Sequence, residues 1–314
     1  MTDLRGLRRL EPWFYRAPSA HNTQPWVLEY EPDRIELRFD PQRHLEVGDP
    51  TRRDLYVSLG CFVEAVLVTA AAEGVPLAFE AQSRAFFAAR ELYRTDFGLD
   101  ELDRRQTSRL PYDGAVSEEE LGAVRAQLRP DERLHVLPNA DVLPLFVAAD
   151  RHVYDSPEVV EELRSWLRLS RRHPRYEQDG LTYECLALSR AEAFGLALLL
   201  RPRVYPLVRR LRVHRRLTDS AKAVLEHAGT VLVIEGPGDE PDELLEAGRS
   251  VLRVWLALAA AGYATHPVSQ ILDYEVTERA LADRLEVRRG HRLLSVFRAG
   301  RSAPAPRSHR LVEP

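Results

Sequence analysis

Lysine, cysteine and methionine are scarce in this chain of 314 residues. Lys222 is the only lysine among 44 basic residues, so almost every cation is an arginine, whose planar guanidinium suits phosphate better than an ammonium group does. The two cysteines, Cys61 and Cys185, lie far apart and lack the spacing of metal ligands, which predicts buried thiols of a reducing compartment rather than a disulfide. The ten histidines are scattered, so no metal site is predicted.

Long hydrophobic runs are missing as well. The run from Phe194 to Leu200, for example, is too short to cross a bilayer and is followed by Arg201. The N-terminus lacks the apolar segment of a signal peptide, and a net charge of −4 argues against a nucleic-acid partner. We therefore expect a cytoplasmic protein with neither a membrane nor a nucleic acid as its partner.

Several common catalytic motifs are absent from the sequence. It contains no Walker A loop, no Gly-x-Gly-x-x-Gly after a strand, no His-Glu-x-x-His, no Cys-x-x-Cys and no Gly-x-Ser-x-Gly. Nucleotide hydrolysis, zinc-dependent proteolysis and serine hydrolase chemistry therefore have no support.

The pattern of apolar residues predicts an α+β fold. Helices are expected over 1–16, from about 50 to 74, over 141–151 and 157–170, and over 241–262. Residues 27–30 and 35–39 are typical of a hairpin, and 230–234 and 293–297 of buried strands. A second unit is predicted to begin near residue 99, which gives units 1–98 and 99–314. The Arg-rich stretch 171–222 is interpreted as an insertion that covers a site.

The sequence also contains a weak internal repeat. Residues 53–76 and 247–267 each form an amphipathic helical pattern that ends in small residues, a glycine and a short loop to proline. Two unrelated core helices or an internal duplication would both give this pattern.

A polar loop is predicted between the first helix and the first strand. Its sequence, Ala-Pro-Ser-Ala-His-Asn-Thr-Gln-Pro-Trp, occupies residues 17–26, and Pro18 ends the helix. Such a loop offers amide and hydroxyl groups in a fixed fan, which suits a planar heteroaromatic ligand. An ordinary helix–strand connection has a similar composition.

This loop resembles the flavin-facing loop of the nitroreductase family, whose members are FMN-dependent NAD(P)H oxidoreductases. With His21, Thr23 and the later Asp-Pro-Thr-Arg-Arg of residues 49–53, it is similar to the mycobacterial-type, Acg-like subfamily. The resemblance implies that the loop lies beside the isoalloxazine ring. The loop residues it assigns to cofactor binding are Pro18, Ser19, Ala20, His21, Asn22 and Gln24.

A second motif is Arg105-x-Thr107-x-Arg109. Its two guanidiniums and hydroxyl could all reach one phosphate, although a solvated charge run is the alternative. It resembles the family's Arg-x-Ser-x-Arg motif, which holds the FMN phosphate, with threonine in place of serine. The resemblance also implies that the C-terminal segment returns to the phosphate, through Arg307 in preference to Arg310. Loss of Arg109 is expected to weaken FMN binding by roughly 1–3 kcal/mol.

The loop over residues 262–270 is a further candidate for cofactor binding. The resemblance places it against the flavin, with Thr265, His266, Pro267 and Ser269 as contacts. His266 could be a general acid or a loop histidine bonded to the backbone. The Glu-Gly pair of many family members is missing here, which leaves nicotinamide stacking open.

The resemblance implies a function and an assembly. It implies an oxidoreductase that passes hydride through flavin N5 from NAD(P)H to a nitroaromatic, quinone or similar small acceptor, with no catalytic side chain. The alternative is a protein that stores FMN with little turnover. Two nitroreductase-like units in one chain would form an intramolecular pseudo-dimer, monomeric in solution. Because the ring loop and the phosphate motif each occur once, one FMN per chain is expected.

Overall fold

The computed structural model describes residues 3–81, 85–213 and 225–312, which form an α+β fold. The strands are β1 Trp26–Tyr30, β2 Arg34–Phe39, β3 Ala78–Ala81, β4 Ala85–Ala88, β5 Tyr112–Asp113, β6 Arg133–Leu137, β7 Leu167–Arg168, β8 Leu181–Thr182, β9 Thr230–Gly236, β10 Ala264–Pro267 and β11 Arg292–Ser302. The α-helices are α1 Glu11–Phe14, α2 Arg53–Ala72, α3 Leu99–Arg104, α4 Glu118–Arg125, α5 Asn139–Asp155, α6 Pro157–Trp166, α7 Arg190–Leu199, α8 Tyr205–Arg210, α9 Pro241–Ala260, α10 Gln270–Asp273 and α11 Glu275–Arg284.

Two antiparallel sheets organise the described part of the chain. The first has the order β1-β2-β4-β3, and its first hairpin pairs Trp26 with Phe39, which confirms the predicted hairpin. The second has the order β10-β11-β9-β6, with β5 on the end of β11. All seven residues of β9 are buried, because this strand lies between two others and under helices. The predicted strand at 230–234 is therefore confirmed.

The long helices α2 and α9 cross at the centre of the main core, which both sheets share. The crossing is close because a glycine of each helix faces the other backbone. A Cβ built on Gly60 would lie 1.9 Å from the carbonyl oxygen of Leu245, and one on Gly248 would lie 2.2 Å from that of Val57. Neither position can hold a larger residue without separating the helices.

One helix combines the length and hydropathy of a membrane span, when the described residues are searched. It is α2, and 78% of its most apolar window is buried. Its burial against α9 explains its composition, because a helix that is apolar all round lies in a protein core as readily as in a bilayer.

Two helical predictions need correction. Residues 4–10 form a 3₁₀ helix, and the α-helix is only Glu11–Phe14, because Pro12 has no N–H to continue a longer one. The helix predicted over 157–170 ends at Trp166. There Arg168 turns inward to the fully buried Asp179 at 2.8 Å, and this ion pair places residues 167–168 beside 181–182 in a parallel pairing.

The stretch interpreted as an insertion, 171–222, has two described parts. Residues 171–188 fold over the polar loop, whereas α7 and α8 pack on α5 and α6 in a separate apolar cluster. Residues 214–222 lie outside the described residues.

Candidate functional site

The polar loop has a strained backbone. His21, Asn22 and Gln24 have φ values of 47°, 56° and 51°, in the left-handed region that non-glycine residues enter at a cost of about 1 kcal/mol each. The N–H of Gln24 donates to Ser19 Oγ at 2.9 Å, and the hydroxyl of Ser58 on α2 accepts a second loop N–H at 3.2 Å. Strain of this kind is retained where surrounding contacts enforce it, and it is concentrated at functional sites.

Asn22 joins three distant parts of the chain. Its Nδ2 donates to the carbonyl of Gly180 at 3.2 Å and to that of His309 at 3.0 Å, while its Oδ1 accepts from Arg310 Nη1 at 2.8 Å. The loop, the 171–188 segment and the C-terminal tail therefore meet at this amide.

Gln24 repeats the arrangement. Its Nε2 donates to the carbonyl of Gln178 and its Oε1 accepts from the N–H of Leu311, each at 2.9 Å. The rings of Tyr176 and His309, one from each covering segment, have centroids 5.9 Å apart. Residues 176–185 and the tail 306–311 together cover the loop.

The motif over residues 105–109 is fixed against β10. The N–H of Ser108 donates to the carbonyl of Thr265 at 3.0 Å, and Thr107 forms a parallel bridge with the same residue. Ser108 Oγ also lies 2.8 Å from Ser302 Oγ on β11. The arginine motif of residues 105–109 and the 262–270 loop are thus neighbours in space.

Three arginines converge below the loop. The carbonyl of Arg16 accepts from Arg105 Nη2 at 2.9 Å and from Arg310 Nη2 at 3.3 Å. All three side chains are buried, with 4–8% exposure. The carbonyl of Arg16 satisfies part of the donor capacity of Arg105 but supplies no negative charge.

Arg105 has the largest unused hydrogen-bonding capacity of this group among the described residues. Its Nε and Nη1 are buried without a hydrogen-bond partner among the described residues. Burial, with the charges of Arg16 and Arg307, lowers the pKa of Arg105 to about 10, although the Cys61 thiol opposes this. An anion here would receive two free donors and relieve the repulsion between cations.

Arg109, the last residue of the motif, forms a second group of polar side chains with His21. Arg109 Nη1 donates to the carbonyl of Cys185 at 2.9 Å. Burial and then the charge of Arg109 lower the pKa of His21 to about 4, against a smaller opposite effect of Asp54. His21 is therefore a neutral imidazole at pH 7, and its buried Nδ1 has no hydrogen-bond partner among the residues described.

His266 is neutral for the same reasons. Burial, Arg109 and Arg298 hold the pKa of His266 well below its usual range, and its Nδ1 accepts from Arg298 Nε at 3.3 Å. The Arg298 guanidinium lies 3.9 Å from the centroid of the Tyr112 ring. His266 is thus a hydrogen-bonded, unprotonated histidine, which does not suit the general-acid interpretation at neutral pH.

The remaining predicted residues are more peripheral. Arg307 is exposed and pairs with Asp103 at 2.5 Å, so Arg310 rather than Arg307 is the tail arginine below the loop. Pro267 lies in β10 opposite Phe297, and Ser269 precedes α10. Thr265 Oγ1 is buried with no hydrogen-bond partner in the described part of the chain.

Sequence reasoning missed Arg16, and although it interpreted 171–222 as a covering insertion, it did not identify the backbone carbonyls through which residues 176–185 bind the site. The available signal for Arg16 was its position next to Ala17 at the start of the loop. The carbonyls of residues 178, 180 and 185 act through the backbone, so their side chains carry no signal.

The space at the loop is small. The cavity between the loop and α2, lined by Ala20, Thr23 and Ser58, has a volume of about 10 Å³. A larger cavity of about 130 Å³ lies between the first hairpin and the start of α9, away from the arginines. A dinucleotide- or flavin-sized ligand would therefore displace the covering segments.

The fold and these contacts define a buried, cation-rich site in an α+β protein. Comparison with known proteins gives a more specific result. Residues 156–301 match the model of the nitroreductase family. A Serratia sp. protein named "Probable NAD(P)H nitroreductase PigM" is 24% identical over 85% of this chain and 80% of its own length. These matches show that the chain is similar to nitroreductases, with the family model covering a little under half of it.

Other similarities are more local or more distant. A Mycobacterium tuberculosis protein with a similar provisional description is 41% identical over 72 residues, which are 23% of this chain and 21% of that one. An FMN-bound nitroreductase of Bacteroides fragilis aligns over 65% of this chain and 88% of its own, with 14% identity and a TM-score of 0.39. The NADPH complex of NfnB from Mycobacterium smegmatis aligns over 66% and 92%, with 17% identity and the same TM-score.

Proposed function

We propose that this chain is an FMN-dependent NAD(P)H oxidoreductase of nitroreductase type. The observation that carries the proposal is the pair of unused donors on buried Arg105, which meets Arg310 at the carbonyl of Arg16. A phosphate dianion matches that group in charge and in hydrogen-bonding capacity. The family relationship and the name of the Serratia relative support the same conclusion.

The phosphate would be held by Arg105 and Arg310, with Arg16 contributing positive charge. The ring edge would face Ser19, Asn22 and Thr265. Bound FMN would supply hydride transfer through its N5, with NAD(P)H as donor and a nitroaromatic, quinone or similar small molecule as acceptor. The protein groups bind and orient the cofactor and exclude water. No side chain is assigned a proton-transfer role.

His21 and His266 have a different part in this scheme. Because both imidazoles are neutral, they add hydrogen-bonding groups near the ring without adding charge. Arg109 would then provide the positive charge at that end, in place of the phosphate contact expected from the sequence. The finer assignment to the Acg-like subfamily rests on the loop sequence of residues 17–26.

The proposal includes an internal pseudo-dimer. The contacts at the helix crossing are reciprocal: Gly60 faces Leu245 and Gly248 faces Val57. Gly248 lies 188 positions after Gly60, and Leu245 lies 188 positions after Val57. Helix α9 also begins and ends 188 positions after α2. A two-fold interface places the same pairs on both sides, so this reciprocity supports duplication over two unrelated core helices.

Storage of FMN is the second candidate function. It is favoured by the covering segments, whose carbonyls at Gln178, Gly180 and Cys185 bind the loop and Arg109 directly. A protein that kept this cover closed would retain FMN and exclude NAD(P)H.

Anaerobic mixing of the FMN-loaded protein with NADPH or NADH tests the proposal. An oxidoreductase loses its oxidised-flavin absorbance rapidly and regains it when a quinone or nitroaromatic acceptor is added. Bound flavin that dithionite reduces but neither nicotinamide reduces would identify the storage protein. Failure to bind FMN at all would refute both functions.

A further inference from the structure

Helices α7 and α8 carry large apolar side chains on the face turned to water. Phe194 and Leu198 on α7 are 71% and 41% exposed, and Leu207 and Leu211 on and just after α8 are 57% and 63% exposed. Each pair is spaced i, i+4, so its members share one helix face. A surface helix normally presents a polar face to water.

The inner faces of the same helices are already packed. Leu200, Tyr205 and Val208 are buried with Val160 and Leu167 in the separate apolar cluster on α5 and α6. The exposed leucines and phenylalanine are therefore not part of this core cluster. The two helices bury one set of apolar side chains and expose another.

The segment that carries these exposed apolar residues is rich in positive charge. Residues 190–212 contain six arginines and one glutamate, in a chain whose net charge is −4. Arg201, Arg203, Arg210 and Arg212 are exposed. The combination of apolar and cationic groups on one short helical pair is typical of segments that lie in the interface of an anionic membrane.

We propose that α7 and α8 dock this protein peripherally on an anionic lipid surface. Phe194, Leu198, Leu207 and Leu211 would enter the headgroup region while the arginines pair with lipid phosphates. A nucleic acid would satisfy the arginines but leave the apolar face in water. A second copy would bury the apolar face but leave the arginines without counter-charges, which is costly.

This docking differs from a membrane span, which the short run over 194–200 excludes. It revises the expectation of no membrane partner, which was based on spanning segments and bulk charge. The docking unit adjoins the site, because α7 begins at its cap Ser189, four positions after Cys185, whose carbonyl binds Arg109.

Sedimentation of the full-length protein with vesicles tests this inference. Vesicles of phosphatidylcholine alone and vesicles that also contain phosphatidylglycerol are compared at low and high salt. We expect binding to the phosphatidylglycerol vesicles only, and weaker binding as salt shortens the screening length from about 10 Å at 0.1 M.

Two double variants measure the apolar and the cationic contributions to vesicle binding separately. Phe194→Ser with Leu198→Ser removes apolar groups, and Arg203→Glu with Arg210→Glu reverses charge. Each double variant is expected to lower binding about tenfold or more, since each buried apolar side chain and each arginine contributes substantially at such an interface.

The matched controls are Val276→Ser and Arg289→Glu. Val276 is 61% exposed on α11, and Arg289 is exposed outside the proposed surface; both variants should bind as the parent protein does. All variants are exposed-site changes, and thermal unfolding checks that they fold.

Three results would overturn the inference. They are absence of binding to phosphatidylglycerol vesicles, equal binding to both vesicle types, and unchanged binding of the charge-reversal variant. A concentration-dependent dimer that forms without lipid and is lost in the Phe194 variant would identify a second copy as the occupant and would also overturn it.

Discussion

At the scale of single residues, the buried guanidinium of Arg105 is the most informative group. It lies near two other arginines, and Nε and Nη1 have no hydrogen-bond partner among the described residues. A buried cation without a counter-ion destabilises a fold, and a residue retained in that situation is better explained by a ligand than by stability.

Replacement of this residue should separate binding from stability. Arg105→Met is expected to weaken FMN binding by about 1.5–3 kcal/mol, the range for hydrogen bonds to charged groups. The same change should stabilise the FMN-free protein by about 1 kcal/mol, because it removes a desolvated charge. Fluorescence titration with FMN and denaturant unfolding of the FMN-free protein measure the two effects.

The neighbouring Arg104 provides the control. It is exposed and pairs only loosely with Asp100, at 3.4 Å, so Arg104→Met should alter neither quantity appreciably. Equal FMN affinity in the Arg105 and Arg104 variants would remove the phosphate assignment.

His21 gives the site a pH dependence. Its pKa is about 4 in the folded protein and about 6.5 when unfolded, so the unfolded chain binds more protons between these values. The free energy of unfolding therefore falls as pH drops below about 6.5. His21→Asn, which tolerates the left-handed backbone, should reduce the loss between about pH 7.5 and 5.5 by about 1 kcal/mol.

Two carboxyls make a direct comparison of variants necessary. Burial raises the pKa of Asp49 to about 6 and that of Asp273 to about 7, so each of them makes the fold more stable as pH falls. Their contribution is the same in wild type and variant and cancels in the difference. Identical pH slopes for the two proteins would contradict the buried, neutral state of His21.

At the scale of elements, the crossing of α2 and α9 dominates. Gly60→Ala would normally favour a helix by about 1 kcal/mol. Here the added methyl group would approach the carbonyl of Leu245 to 1.9 Å. We expect a loss of more than about 3 kcal/mol in unfolding free energy, or failure to fold, because rigid backbones must separate.

A matched glycine lies in α4. A Cβ on Gly122 would meet nothing within 4 Å, so Gly122→Ala should be neutral or stabilising by up to about 1 kcal/mol. Thermal unfolding of the two variants measures the contrast. A Gly60 variant as stable as the Gly122 variant would show that the helices are not in this contact.

The elements themselves could largely be predicted from the sequence. The hairpin, α2, β9 and α9 follow from apolar periodicity, which is a local property. The early end of α6 could not be predicted, because it depends on the pairing of Arg168 with Asp179 across eleven residues. A covering role for part of 171–222 was predicted, but the individual contacts of residues 176–185 were not, because they use backbone carbonyls, which every residue has.

At the scale of the whole molecule, the polar loop at 17–26 and the arginine motif at 105–109 belong to different ones of the two units predicted from the sequence. The sequence predicted that the two would share a site. Arg105 and the loop do meet at the carbonyl of Arg16. The choice between Arg307 and Arg310 could not be made from spacing, because the path of the tail depends on its contacts with Asn22 and Gln24.

The presence of one polar loop and one arginine motif predicts how many FMN molecules each polypeptide binds. We expect one FMN per polypeptide, because the other pairing would need a second loop and a second arginine motif, and neither occurs in the sequence. Absorbance of released FMN against amino-acid analysis measures the ratio. A value close to two would contradict this expectation and would show that both faces of the proposed pseudo-dimer bind cofactor.

The reciprocal glycine contact has a consequence for how this protein can change over time. In an assembly of two identical subunits, one altered codon appears on both sides of the interface at once. Here Gly60 and Gly248 are encoded separately, so each side can acquire substitutions that the other never carries. The tether also keeps the helices together at any dilution, since the covalent link fixes their mutual concentration.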